Sequence, residues 1–296
     1  MRTRPLDPAD LPALHARFCS GVRALPHALP PTAQEFAEAL MRRPATMTSS
    51  RVLVADAGSG PLGFAICGRN RVTNRWTLAA EGTGVLLGPF IGTGDATAGE
   101  ALVAACDEAV FERGARLTHA FDPSSAVALP FYNGGFCGLS ERLGDVTTLL
   151  ARSGFRVRHR ELCLTYEGAE PRSVAPRPPG LHMESQPPRE GRYALTLYDQ
   201  DTRAGSCQFS LVAPLRGRNP AGREWGYIDG LGVVDRYQGR GLGRWLMLEA
   251  MRQLAEAGCR GVLLTTGSEN YRAQNLYYSL GFSLVDSCLC MARPPW

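Results

Sequence analysis

Residues 233–246 read VVDRYQGRGLGRWL. An apolar strand runs into alternating glycines, and a helix-forming stretch follows. Nothing else in the chain limits the backbone as sharply, because a strand must end, turn and start a helix within a few residues. A helix start exposes N–H groups that lack intrahelical partners and carries about half a positive charge. Gly239, Gly241 and Gly243 let those groups approach an anion with no Cβ in the way. Arg236, Arg240 and Arg244 add positive charge, and no acidic residue occurs between Asp235 and Glu249. An anion is the expected occupant, although the glycines by themselves suit an ordinary strand-to-helix turn equally well. Two phosphate loops are excluded. The dinucleotide fingerprint needs a glycine where Arg244 stands, and no Gly-Lys-Ser/Thr follows.

A second pattern lies downstream: Asn270-x-x-Ala273-x-x-Leu276-Tyr277-x-x-Leu280-Gly281-Phe282. Asn270 and Tyr277 fall on one helix face about two turns apart, an amide at one end and a phenol at the other. That arrangement suits a long ligand lying alongside. Taken singly, Asn270 also suits a helix cap and Tyr277 a core position.

Together the two patterns resemble the GNAT acetyltransferase superfamily over residues 225–285. Gln238, Gly241 and Gly243 match its first motif; Asn270, Tyr277, Gly281 and Phe282 match its second. The resemblance implies an α/β fold of the α+β type, with a mixed, mostly antiparallel twisted sheet flanked by helices. It implies acetyl-CoA as cosubstrate and no metal. The diphosphate would rest on the main chain of Gln238, Gly239, Arg240, Gly241, Leu242, Gly243 and Arg244. In this family the preceding strand splays from its neighbour, which would free backbone groups of Leu231 and Val233 for the pantetheine arm. Asn270 would hold the arm's far part, and Tyr277 would protonate or hydrogen-bond the leaving thiolate. Asp229 is the expected base, placed by strand alternation on the face of Leu231 and Val233; Glu224 and Tyr227 are alternatives, and Asp229 equally suits a structural acceptor. Direct acetyl transfer to a primary amine of a small molecule is the implied reaction. Alternatives are a protein-lysine acetyltransferase, a mycothiol-synthase-like enzyme acting on a cysteinyl amine, and a non-catalytic CoA-binding module.

The chain has 296 residues, enough for two domains of ordinary size. The Pro-rich segment 168–180, GAEPRSVAPRPPG, reads as a linker between 1–167 and 181–296. Both parts run from an antiparallel meander into strand, turn, helix, strand, helix and strand. Both also carry a Gly-Phe pair after the last helix, Gly154-Phe155 and Gly281-Phe282. The expected architecture is therefore a tandem of two such domains. The first reads as degenerate. Its helix start, TGDATAGEALVAA, fits Gly99 and Ala101 to the first motif but brings Asp95 and Glu100 to the diphosphate position. Thr97 and Glu100 are expected to form a capping box there. A second box, Thr32 with Glu35, is expected to open a helix AQEFAEALMRR.

Only the short stretch QPPREG joins the strands LHMES and RYALTLYD of the second part, so the two helices that follow the first strand in the family it resembles are expected to be missing, and a wall for the acceptor pocket would come from elsewhere. Phe131, Tyr132 and Phe136 are candidates for a wall, and Arg216, Arg218 and Arg223 for attracting an acidic acceptor or a phosphate. Composition narrows the partners. The net charge of +4 is small and dispersed, which argues against nucleic acid. No apolar run reaches the length of a membrane span, and the start shows no signal-peptide core. Nine cysteines, scattered apart from Cys288 and Cys290, read as free thiols of a cytoplasmic protein. A monomer or homodimer is expected.

Overall fold

The computed structural model describes residues 1–26, 30–42, 44–73, 78–92, 94–123, 138–168, 178–189, 192–211 and 225–294. They form two compact units: Met1–Glu161 with Asp286–Trp296, and Leu162–Val285. The final strand thus counts with the first unit from Asp286 onward. Residues 169–177 of the expected linker lie outside the described residues, as do 124–137 and 212–224, which carry the expected aromatic wall and basic loop.

In the first unit, β1 (Arg2–Pro5), β2 (Met47–Asp56), β3 (Pro61–Asn70) and β4 (Gly84–Ile91) pair antiparallel in that order. β5 (Leu117–Ala120) joins β4 in parallel and β13 (Ser283–Ala292) antiparallel. A short β6 (Leu139–Ser140) also pairs with β13. α1 (Leu11–Val22) follows a 3-10 turn capped by Asp7, with Pro8 in its first position. α2 (Ala33–Met41) opens on the expected Thr32–Glu35 box. On one face of the sheet, Phe64 of β3 meets Phe18 of α1 and Phe36 of α2, with ring centroids 6.2 and 5.6 Å apart. On the other, the free thiol of Cys67 in β3 is hydrogen-bonded with the free thiol of Cys106 in α3 (Ala96–Phe111). α4 (Gly144–Arg152) packs beside α3. Cys288 and Cys290 are buried in β13 as small core residues, and Leu289 and Met291 are buried beside them.

In the second unit, which β7 (Arg156–Glu167) enters from Leu162 onward, the sheet order is β7, β12 (Gly261–Gly267), β11 (Trp225–Val233), β10 (Thr202–Leu211), β9 (Arg192–Asp199) and β8 (Leu181–Arg189). β8 is followed by β9 after two residues, so no helix intervenes. β10 pairs with β9 from Thr202↔Asp199 and Arg203↔Tyr198, with a register shift at Ala204. α5 (Leu242–Glu256) lies on β10 and β11 and buries Leu242, Leu246, Met247, Ala250, Met251 and Leu254, the spacing of one helix face. Beneath it Leu195, Leu197, Cys207 and Phe209 are fully buried. Gly258 (φ 91°) ends α5.

The two units repeat each other at their last helices. α6 (Tyr271–Ser279) ends with Gly281 at φ 94° and an N–H of Phe282 donating 3.1 Å to Tyr277 O. α4 ends with Gly154 at φ 88° and an N–H of Phe155 donating 3.0 Å to Leu150 O. Both phenylalanines are buried. The shared cap aligns the helices residue by residue: Leu150 stands where Tyr277 does, and Leu143, before α4, where Asn270 does.

One expectation fails in the first unit. Thr97 is inside α3, and the residue before the helix is Asp95, with no side-chain cap. The Asp95 carboxylate pairs with Arg17 of α1 at 3.2 Å, and Glu100 pairs with Arg152 at 3.3 Å. A tertiary ion pair has displaced the local box.

Candidate active site

The second unit's site begins where two parallel strands part. β11 pairs with β12 from Trp225↔Gly261 to Ile228↔Leu264 and no further, while its pairing with β10 runs on to Val233↔Gly205. The N–H of Val234 donates 2.9 Å to Ala204 O on the β10 side. Backbone groups alternate in direction along a strand. Those of Leu231 and Val233 therefore face the opposite edge, which β12 has left. Val233 O accepts from the Gln238 side-chain amide there at 3.1 Å.

The glycine turn follows. A 3-10 turn at Asp235–Tyr237 leads through Gln238 to Gly239 and Gly241, each at φ 76°. That left-handed backbone is the reason for glycine at both positions, since an ideal Cβ would meet nothing within 4 Å at either. Gly241 precedes α5, whose start has no side-chain cap and no acidic residue in its first turn. Among the described residues, no acceptor meets the N–H groups of Gly239, Arg240, Gly241, Leu242, Gly243 or Arg244. An uncapped helix start presents free N–H groups, so this row of donors is open to an anion. The Leu242 side chain is core, leaving only its main chain for such a role.

Arginines ring the turn. Arg236 and Arg240 lie over the Tyr237 ring at 4.9 and 5.4 Å, and Tyr237 is fixed by donating to Asp199 at 3.0 Å. Arg244 donates to Ser279 Oγ at 3.0 Å. A fourth, Arg272 of α6, donates 3.3 Å to Gln238 Oε1. Sequence reading missed Arg272 because its helix is distant along the chain; its place inside the second motif was the available signal.

Asn270 is the residue before α6, and its Oδ1 accepts from Ala273 N at 3.3 Å, so it does cap the helix. Tyr277 is buried beside Phe282, ring centroids 5.9 Å apart. Its hydroxyl has no hydrogen-bond partner among the described residues, yet it is not one of the sealed, unpartnered oxygens, which are Thr46 Oγ1 and Ser287 Oγ. Burial, with a smaller contribution from Cys207, pushes the phenol up to about 12, so it stays protonated at neutral pH.

Asp229 is not where alternation along a regular strand puts it. Gln208↔Gly230 and Phe209↔Ile228 pair across β10 and β11, which leaves Asp229 as the extra residue of a β-bulge. The bulge turns it to the face opposite Leu231. There Ser210 Oγ donates to its carboxylate at 2.8 Å. Loss of hydration raises its pKa above the ordinary carboxylate range; Ser210 and Arg192 hold it back, and solvent still reaches its exposed side. Tyr227 is buried, with its hydroxyl 3.3 Å from Thr265 Oγ1, and Glu224 lies outside the described residues.

Parted strands, an uncapped glycine turn and a protonated buried tyrosine are joined by a match in sequence: residues 159–282 match the family described as Acetyltransferase (GNAT) family. This chain has a GNAT domain. A mycothiol acetyltransferase of Thermobifida fusca is 40% identical over 129 residues, covering 36% of this chain and 39% of that protein. A spermine/spermidine N(1)-acetyltransferase of Bacillus subtilis is 31% identical over 87 residues, 29% of this chain and 56% of the other. The chain thus spans little more than a third to just over half of these relatives' lengths. Among solved structures, a tandem GNAT protein from the clavulanic acid biosynthesis pathway superposes with a TM-score of 0.68 at 14% identity, covering 98% of this chain and 97% of its own. The tandem GNAT fold therefore extends over the whole chain.

Proposed function

We propose that the chain is an acetyl-CoA-dependent N-acetyltransferase whose second unit moves an acetyl group to a primary amine of a small molecule. The observation that carries this reading is the row of unbonded N–H groups from Gly239 to Arg244, set beside the parted strands. The donors fit a diphosphate, and the space beside Gly239 and Gly241 is open. Acetyl-CoA would supply an activated acyl thioester. The chain's own groups do the rest. Main-chain groups of Leu231 and Val233 would pair with an extended arm like an added strand, once the Gln238 amide leaves Val233 O. The Asn270 amide nitrogen stays available while its oxygen caps α6. Tyr277 would donate its proton to the departing thiolate, and Asp229, deprotonated, would take one from the attacking amine directly or through water.

The likeness to mycothiol acetyltransferase favours a second reading of the acceptor, the cysteinyl amine of a thiol sugar. A thiol-release assay tests both. It compares a cysteinylated sugar, a polyamine, amino carboxylates and a lysine peptide. Turnover on at least one free amine, above the peptide, is expected. Tight acetyl-CoA binding without thiol release on any amine would leave a CoA-binding module in place of an enzyme.

A further inference from the structure

The bulge that turns Asp229 outward also sets it among polar groups that the reaction scheme leaves unused. Phe209 and Cys207 of β10 and Leu195 and Leu197 of β9 face the core under α5. Gln208 and Ser210, and with them Arg192, therefore face the other side of the sheet. Register places Arg192 directly opposite Ser210, and Ser210 bonds Asp229. No helix intervenes between β8 and β9 to cover this face, and Arg192, Gln208 and Asp229 are all exposed. Its floor is bare, since a Cβ on Gly230 would meet only Gln208 Oε1, at 3.9 Å, and one on Gly232 nothing within 4 Å.

The Arg192 side chain has no hydrogen bond or ion pair among the described residues. Its charge reaches Asp229, yet the two do not pair. They stand two strands apart, roughly 10 Å between main chains. Two opposite charges held apart across a small serine fit a ligand that carries both charges in reverse order. An amine at Asp229 would place a neighbouring anion at Arg192, with the Gln208 amide free to donate to it. A carboxylate suits the place better than a phosphate dianion, which Asp229 would repel more strongly.

We propose that Arg192 selects acceptors that carry a carboxylate near the amine to be acetylated, with Gln208 assisting. The substrate class is an amino carboxylate. This rests on the N-acetyltransferase reading above. The test uses matched pairs, each an amino acid and its carboxamide, and reads kcat/KM by thiol release in the full chain. The parent should favour the acid of a pair. Arg192→Gln should lower that acid-to-amide ratio roughly three- to tenfold, chiefly through KM, and Arg192→Lys should restore part of it. An unchanged melting temperature and acetyl-CoA affinity confirm that both variants are folded. Equal turnover of acids and amides by the parent, or a ratio untouched by Arg192→Gln, overturns the inference and leaves the N-acetyltransferase reading standing. No turnover of any amine overturns both.

Discussion

The two units begin the same helix in opposite ways. Before α5 stands Gly241, left-handed and open; before α3 stands Asp95, its carboxylate held by Arg17. Gly99 of the first unit does not serve a turn at all. It sits in the second turn of α3, where the Leu149 side chain occupies the space of its missing Cβ. The parallel strands part in both units, after Leu86↔Ala120 in one and Ile228↔Leu264 in the other. Beyond the parting the first unit packs Phe90 against Phe121 and Phe18, at 6.0 and 5.3 Å. The second leaves main-chain groups of Leu231 and Val233 facing the opened edge. Leu150 replaces Tyr277, and Leu143 replaces Asn270. One copy has filled these positions with packing and ion pairs, while the other keeps donors without protein partners. Exposed donors without a protein partner are open to water or to a ligand.

Several substitutions put this contrast at risk. The largest effect is expected at the helix both units share. Tyr277→Phe should reduce turnover by roughly 10²- to 10⁴-fold with acetyl-CoA affinity nearly kept. Unchanged turnover would remove Tyr277 from the chemistry, whereas Leu150→Ala should cost stability alone, about 2–5 kcal/mol by chemical denaturation.

Next comes Asp229→Asn, expected to slow turnover by roughly 10- to 100-fold and to alter the pH profile. A base works deprotonated, and burial raises this carboxyl above its ordinary value of about 4. The parent's rate should therefore rise with pH later than an unperturbed aspartate would dictate, and the variant should lack that limb. Superimposable profiles would contradict a role as base.

Gly241→Val and Gly94→Val form a matched pair, both glycines being left-handed with open space beside them. Each should cost about 1–2 kcal/mol of backbone strain. Only Gly241→Val should also weaken acetyl-CoA binding, by roughly tenfold or more in titration calorimetry. Equal weakening by both would mean the first unit binds as well.

The smallest effect concerns Asp95→Ala. The Arg17–Asp95 pair is partly exposed, so its loss should cost about 0.5 kcal/mol or less and create no new binding. A second equivalent of acetyl-CoA bound by this variant would show that Asp95 alone had blocked the first unit.

What the sequence disclosed was mostly local. The Thr32–Glu35 box follows from neighbouring residues and stands as expected, and the left-handed glycines Gly258 and Gly281 that end α5 and α6 are local features of the same kind. What it hid was set from a distance. The Arg17 carried on α1 removes the box at Thr97. The bulge at Asp229 depends on the register of β10, which no period along β11 can reveal. The last strand counts with the first unit although it directly follows the second along the chain. At the candidate site the motifs named the glycines, Asn270 and Tyr277. The structure added Arg272, the Gln238 contact and the exposed Arg192, none of which a linear spacing contains.

The central claim is that only the uncapped start of α5 is built to hold a diphosphate. Calorimetric titration of the full chain with acetyl-CoA measures it directly. The account predicts one molecule bound per chain, and binding of two, or of none, would contradict it.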